Sequence, residues 1–272
     1  MSKYITHFQT EAEYQAALPS LELPNVSLVD ELGEVHYHRA LYGAHAGDIC
    51  LYDVAEAQKI VVTAENWNLT TYPTASYPIV GIVIANESTN GVVLCSALNI
   101  AADGSSTLDY ASIKWQNTNL DWGLTKNDTE DLAKTDFNGK ANTAAIINAI
   151  KAYDTSHGTD NITGCVGGAI QAFITEGTVA GDWYIGSAGE LYTLGTNYNI
   201  IQTTIDKIKT ANNSLASNLG LNVINPAFKS STEYSIQKNW LLYRPDADTL
   251  SLIHDWGKVA TAGFIRPFLR LT

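Results

Sequence analysis

Cysteine and methionine are scarce in this 272-residue chain, which contains three cysteines and one methionine. Cys50, Cys95 and Cys165 are odd in number and far apart, so they predict no disulfide framework and no metal site built on cysteine pairs. Cys50 and Cys95 lie inside apolar runs. Because free cysteine is among the most often buried residue types, we expect both to be small core residues.

Long apolar runs are also missing. No stretch reaches the ~18 uncharged apolar residues that a membrane-spanning helix needs. Residues 1–8 lack the apolar segment and the cleavage site of a secretory signal peptide. We therefore expect a protein that is made in the cytoplasm, is not exported by the Sec route and does not enter a membrane.

Basic residues are in the minority, with 16 Lys and Arg against 28 Asp and Glu and a formal net charge of −12. Such a charge repels phosphate backbones and anionic membrane surfaces, which argues against a nucleic-acid partner. Apolar residues make up 45% of the chain, and this proportion excludes bulk disorder.

Enzyme signatures are absent as well, since the chain has no G-x-S-x-G elbow, no Walker loop and no H-E-x-x-H. His36 and His38 alternate on one predicted strand and His45 follows, but no acidic or cysteine ligand stands at a supporting interval, so solvent-facing histidines are favoured over a metal site. Asp246 and Asp248 lack the glycine and glutamate of an EF-hand loop. We predict no catalytic activity, no metal and no cofactor.

The order of predicted elements indicates an α+β fold. Short β-branched runs at 49–52, 59–62, 78–84 and 92–95 predict strands buried on both faces of a small barrel or sandwich. Helical spacing or capping signals occur at 144–153, at 165–173, after Ser187 and from Asn199 onward, where Ile201, Ile205 and Ile208 recur at helical intervals.

Three motifs stand out in the last ninety residues. Trp183–Leu191 reads WYIGSAGEL and places Ser187 and Glu190 at the spacing of a capping box, which predicts a helix start. Ser230–Tyr234 reads SSTEY, and Gly263–Leu271 reads GFIRPFLRL. These motifs resemble the C-type lectin fold of phage and bacterial surface proteins, in which a proline usually stands at the position of Gly186. The resemblance implies a rigid display platform whose late strands face a ligand.

The final motif carries two further expectations. Pro267 cannot donate to a strand ladder, so its strand is predicted to be an edge or terminal one. Arg266 is predicted to pair with a buried carboxylate, such as Glu190 or Glu233, in preference to a ligand.

The N-terminal leader has the pattern F-x-T-x-x-E-Y at 8–14, then PNVSL at 24–28 and VHY at 35–37. It resembles the leader of head-fibre and other virion proteins from tailed phages of gut Bacteroidales. The resemblance implies a short N-terminal anchor segment at 1–42, a β-rich barrel or sandwich domain at 43–115 and a C-type lectin-like domain at 116–272. The residues it implies for anchoring to the capsid are Asn25, Val26, His36 and Tyr37.

The same resemblance places the ligand-facing surface in the last strands. The candidate ligand-binding residues there are Tyr234, Trp240, Tyr243, Arg244, His254, Asp255 and Trp256. Aromatic and arginine side chains dominate binding energies because they desolvate large rigid areas and add directional polar contacts. A core position is the competing interpretation for Trp240, which precedes two leucines, and for Tyr234.

The leading hypothesis is a non-enzymatic structural or decoration protein of a tailed-phage virion, such as a head fibre. We expect a homotrimer that attaches through its N-terminus to the capsid or to another virion protein. The alternative is a module that recognises host-surface or mucin carbohydrate. It would do so without calcium, because the sugar-binding calcium motifs of animal C-type lectins are absent. A bacterial adhesin tip is a weaker third hypothesis, since the chain begins without a signal peptide.

Overall fold

This computed structural model describes residues 44–85, 114–212, 227–243, 249–255, 257–259 and 264–271, and the backbone of short strands at 28–29, 35–36, 92–95, 99–100 and 106–107. The chain divides into two compact units, Met1–Arg39 and Ala40–Thr272. In the first unit, strand β1 (Leu28–Val29) pairs antiparallel with β2 (Val35–His36).

A six-stranded antiparallel sheet is the central layer of the second unit, with the strand order β4-β3-β5-β6-β13-β9. Its strands are β3 (Ile49–Asp53), β4 (Gln58–Val62), β5 (Ile79–Val83), β6 (Val92–Cys95), β9 (Tyr184–Ile185) and β13 (Pro267–Leu271). The four predicted β-branched runs are therefore confirmed as strands. In β3, Ile49 and Leu51 belong to one hydrophobic cluster and Cys50 to another. Since side chains alternate along a strand, this sheet is buried on both faces, as predicted.

The central sheet crosses the predicted domain boundary at residue 115. Strand β6 pairs with β13, with Leu94 opposite Leu269. The prediction of a separate barrel or sandwich at 43–115 was wrong, because this segment supplies four strands to a sheet that a C-terminal strand extends. Its apolar strands have two faces to bury, and later helices cover both.

The described residues include five helices. They are α1 (Glu130–Lys134), α2 (Gly139–His157), α3 (Val166–Ala172), α4 (Ala188–Thr196) and α5 (Tyr198–Ala211). Helices α4 and α5 pack on one face of the central sheet through residues such as Leu191 and Ile205. Helices α2 and α3 cover the other face through residues such as Ile150 and Ile170. The predicted helices are confirmed, and none of those described is long and apolar enough to span a bilayer.

A smaller antiparallel sheet packs on the same side as α4 and α5. It has the order β10-β11-β12 and consists of β10 (Ala227–Glu233), β11 (Asn239–Tyr243) and β12 (Ser251–Ile253). Its Trp240, Leu242 and Leu252 join the hydrophobic cluster that holds α4 and α5. A two-stranded ladder pairs β7 (Asn99–Ile100) with β8 (Ser106–Thr107). The unit is thus α+β, with a sheet between helical layers.

The position of β13 corrects the expectation for Pro267. This strand lies between β6 and β9 and is not an edge. Pro267 opens the strand and lies opposite Ile185 of β9. The first position of a strand tolerates a proline, since a missing N–H there interrupts no continuing ladder.

Candidate functional site

Three of the predicted ligand-binding residues come together in what we call the aromatic cluster, formed by Tyr234, Trp240 and His254. Tyr234 directly follows β10, and His254 directly follows β12. The Tyr234 and His254 rings are stacked, with centroids 3.9 Å apart and an interplanar angle of 3°. Trp240 of β11 meets both rings at right angles, with centroid distances of 5.5 Å to Tyr234 and 5.1 Å to His254. The middle strand thus brings the ends of its two neighbours into contact.

The members of the cluster differ in burial. Trp240 is 3% exposed, and its indole N–H donates to the carbonyl oxygen of Asn127 at 2.6 Å. The competing core interpretation is therefore confirmed for Trp240, which supports the other two rings from inside. Tyr234 and His254 are half-buried at the surface. They are the part of the cluster that a ligand could touch.

The remaining predicted ligand residues do not join this cluster. Tyr243 is half-buried and pairs with Ala227 and Ser251, at the opposite end of the small sheet from Tyr234. Asp255 is exposed next to His254. Arg244 and Trp256 lie outside the described residues.

The predicted capsid-anchoring residues are placed only in part. Asn25, Val26 and Tyr37 lie outside the described residues. His36 is in β2, where its backbone pairs with that of Leu28. These residues remain a prediction.

A buried ion pair adjoins the aromatic cluster, and the sequence analysis did not predict it. The ammonium of Lys258 contacts Oε1 of Glu233, the residue before Tyr234, and both side chains are fully buried. Lys258 Nζ also donates to the carbonyl oxygen of Leu120 at 3.0 Å and lies 3.9 Å from the centroid of the Trp122 ring. Burial lowers the pKa of Lys258, and the Glu233 carboxylate opposes that shift.

The same pair holds an irregular segment that precedes α1. Oε1 of Glu233 accepts the backbone N–H of Trp122 at 3.2 Å, and the Glu233 carbonyl accepts the N–H of Asn127 at 3.0 Å. Asn127 in turn receives the indole N–H of Trp240. A segment without helix or strand is therefore fixed by β10 and becomes part of the support for the aromatic cluster.

A second polar network, which we call the cap network, joins the start of α4 to distant strands. Ser187 and Glu190 form the predicted capping box, with the Ser187 N–H donating to Glu190 Oε2 at 2.9 Å. Glu190 Oε1 also accepts from the Tyr184 hydroxyl at 3.1 Å and from Arg270 Nη2 at 2.9 Å. Burial raises the pKa of Glu190, and the Ser187 N–H and Arg270 offset part of that effect. The helix start predicted at Ser187 is thus confirmed.

The SSTE motif belongs to the same network. Thr232 Oγ1 accepts the N–H of Ala188 at 2.8 Å and donates to Asp136 Oδ2 at 2.7 Å. The Ser187 hydroxyl donates to the carbonyl oxygen of Asp136 at 2.6 Å, and that of Ser231 donates to the Ile185 carbonyl at 2.9 Å. The register of β10 shifts between Lys229 and Glu233, and within this stretch the hydroxyl of Thr232 reaches the start of α4 and that of Ser231 reaches β9.

The arginine that reaches this network is not the predicted one. Arg270 pairs with Glu190, and Lys258 pairs with Glu233, so both carboxylates proposed for Arg266 have other basic partners. Arg266 is buried, with its guanidinium 5.5 Å from the centroid of the Phe228 ring. In the strand predicted from the sequence, residues 266 and 270 share a face because they lie four positions apart, so the motif did not decide between them. In the structure Arg266 precedes β13.

The two cysteines whose side chains the structure describes, Cys50 and Cys165, are free and buried. Burial raises the pKa of the Cys50 thiol to about 12 and also raises that of Cys165. In the described parts of the chain, no three His, Cys, Asp or Glu side chains lie close enough to hold a metal ion. His45 is exposed, with Nδ1 3.9 Å from Asp48 Oδ2.

Comparison with known proteins adds little to this geometry. No family model and no curated protein matches the chain. Among solved structures it is similar to a fimbrial protein from Bacteroides ovatus ATCC 8483, at 14% identity and a TM-score of 0.42. The alignment covers 92% of this chain and 49% of the other, so this chain spans about half the length of that protein. A likeness at this level carries no argument about fold family or function.

Proposed function

We propose that this chain is a non-enzymatic structural protein of a tailed-phage virion, a head fibre or similar surface decoration, whose C-terminal part has a C-type lectin-like fold. The cap network is the observation that supports this best. The side-chain oxygens of Glu190, Asp136 and Thr232 are bonded to helix starts, strands and one another, and Nη2 of Arg270 donates to Glu190. Buried polar groups satisfied in this way rigidify a core, and they leave few groups free for chemistry.

The lectin-like part of the proposal rests on contacts between motifs. The WYIGSAGEL, SSTEY and GFIRPFLRL segments resemble lectin-fold motifs, and each contributes a residue to the cap network: Ser187, Thr232 and Arg270. Motifs far apart in sequence that meet in one network are expected of a scaffold held together by long-range polar contacts. We further propose a homotrimer attached through residues 1–42, because trimer contacts would cover strand edges.

Localisation on intact particles tests the virion proposal. An antibody raised against the full chain should label purified phage particles in immunogold electron micrographs, and the chain should be found by mass spectrometry in particles that have been washed at high salt. Light scattering of the purified chain should give three times the monomer mass. Particles without the chain, together with a monomer in solution, would contradict the proposal.

Recognition of host-surface or mucin glycan is a second candidate, which the aromatic cluster specifically favours. Tyr234 and His254 form a rigid, half-buried stack that is supported from inside by Trp240. Rigid aromatic surfaces bind well because little side-chain entropy is lost on binding. A glycan array probed with the full chain tests this function. Binding to no glycan on the array would leave decoration as the function.

A further inference from the structure

The aromatic cluster presents polar atoms to which no described residue is bonded. Among the described residues, no partner bonds the Tyr234 hydroxyl or either ring nitrogen of His254. Of the two ring nitrogens, Nδ1 is the buried one. With respect to the described part of the chain, the Tyr234 hydroxyl and His254 Nε2 are therefore the groups of the stacked pair that a ligand can bond.

The buried Nδ1 atom determines whether His254 donates or accepts a hydrogen bond through Nε2. A neutral imidazole carries one N–H and one bare nitrogen. Among backbone groups, a buried N–H without an acceptor is rarer than a buried carbonyl without a donor, and we apply the same preference to the ring nitrogens. The hydrogen is therefore expected on Nε2, with Nδ1 bare inside the protein. His254 then presents an N–H donor to solvent, and the Tyr234 hydroxyl can donate or accept beside it.

The negative charge around the aromatic cluster favours an uncharged ligand over an anionic one. Asp255 is exposed next to His254, and the whole chain carries a formal charge of −12. An anionic ligand would be repelled by this field. A neutral ligand with many hydroxyls matches a site that has an aromatic body and one or two uncharged hydrogen-bonding groups.

We propose that Tyr234 and His254 form the ligand-contacting pair and that they bind an uncharged glycan, with His254 Nε2–H donating to one of its hydroxyl or ring oxygens. The proposal rests on the glycan-binding function above and names its contact atoms and ligand class. Trp240 is a positioning residue, since its indole N–H is already bonded to Asn127.

Two conservative substitutions in the full chain test the contact. His254→Phe keeps a stacked ring and removes Nε2–H, and Tyr234→Phe keeps the ring and removes the hydroxyl. A matched control is His157→Phe, because Tyr153 and His157 form another stacked pair on α2, with centroids 4.0 Å apart. The probes are neutral hexose oligosaccharides and their sialylated and sulfated counterparts. We expect His254→Phe to weaken neutral-glycan binding about tenfold, as loss of one hydrogen bond predicts.

Tyr234→Phe should weaken binding by a smaller factor, and His157→Phe should leave it unchanged. Equal melting temperatures would show that all variants fold. Two results would overturn this proposal and leave glycan recognition standing. In the first, both cluster variants bind glycans as well as the wild type does. In the second, the wild type prefers the sialylated probes. A wild-type chain that binds no probe overturns both. Nitrogen-15 NMR of the free protein should find the hydrogen of His254 on Nε2, and finding it on Nδ1 would refute the donor assignment.

Discussion

Arg270 Nη2 lies 2.9 Å from Oε1 of Glu190, and this pair ties β13 of the large sheet to the first turn of α4. The Glu190 side chain is fully buried, whereas that of Arg270 is 24% exposed. The carboxylate therefore depends on its partners for compensation of its lost hydration. Since Glu190 also closes the capping box, one side chain links helix formation to sheet assembly.

The first prediction concerns this ion pair. Arg270→Met keeps the aliphatic stem and removes the charge, so it leaves a buried carboxylate without its cation. We expect a loss of about 3 kcal/mol in the free energy of unfolding, measured by urea denaturation. Lys134→Met, which breaks the surface pair with Glu130 on α1, should cost at most about 1 kcal/mol. Equal losses in the two variants would show that Arg270 is not the compensating charge.

The second prediction concerns Gly186, the position at which the lectin-fold motif that this segment resembles usually has proline. A Cβ atom at this position would lie 2.7 Å from the Phe268 ring. The aromatic ring therefore occupies the space that a larger residue would need. We expect Gly186→Ala to lower the free energy of unfolding by about 1–3 kcal/mol through overpacking, and Gly186→Pro to lower it further.

Gly257 offers a control for this substitution. A Cβ atom there would come no closer than 3.4 Å to its nearest neighbour, the carbonyl oxygen of Gln237. Gly257→Ala should therefore change the unfolding midpoint little. If Gly186→Ala were as stable as this control, the close approach of Phe268 would not be what requires glycine.

The third prediction concerns the SSTE motif. Thr232→Val keeps the shape of the side chain but removes the acceptor for the Ala188 N–H and the donor to Asp136. The unmade bonds are buried, so we expect a loss of about 1–3 kcal/mol in thermal or urea unfolding. Thr203→Val is the control, because the Thr203 hydroxyl donates to the Asn199 carbonyl on the exposed side of α5. Similar effects at the two positions would contradict a special role for Thr232.

Local signals explain which elements could be predicted from sequence. The spacing of Ser187 and Glu190 marks the start of α4, and the recurrence of isoleucine marks the buried side of α5. Each signal involves residues within a few turns of helix. The pairing of β6 with β13 joins segments far apart in the chain, and no local spacing encodes it. The predicted domain boundary was wrong for this reason.

In the candidate site, too, local sequence signals predict some features and long-range pairing determines the others. Trp240 could be placed in the core because Leu241 and Leu242 follow it, and all three are buried. The stack of Tyr234 on His254 depends on how β10 and β12 align across β11, which neither segment specifies alone. Motif spacing likewise did not select Lys258 as the partner of Glu233.

The last prediction concerns Lys229, a fully buried lysine of β10. Burial lowers its pKa in the folded protein from 10.5 to about 8. Between these two values the unfolded chain binds more protons at this residue than the folded chain, so stability increases as pH rises through this range. The free energy of unfolding of the wild type, measured relative to Lys229→Met by urea denaturation, should therefore rise from pH 7.5 to pH 10.5. Lys151→Met controls for the loss of an exposed lysine. If the difference in free energy of unfolding between the wild type and Lys229→Met stays constant across this pH range, Lys229 keeps its proton in the folded protein.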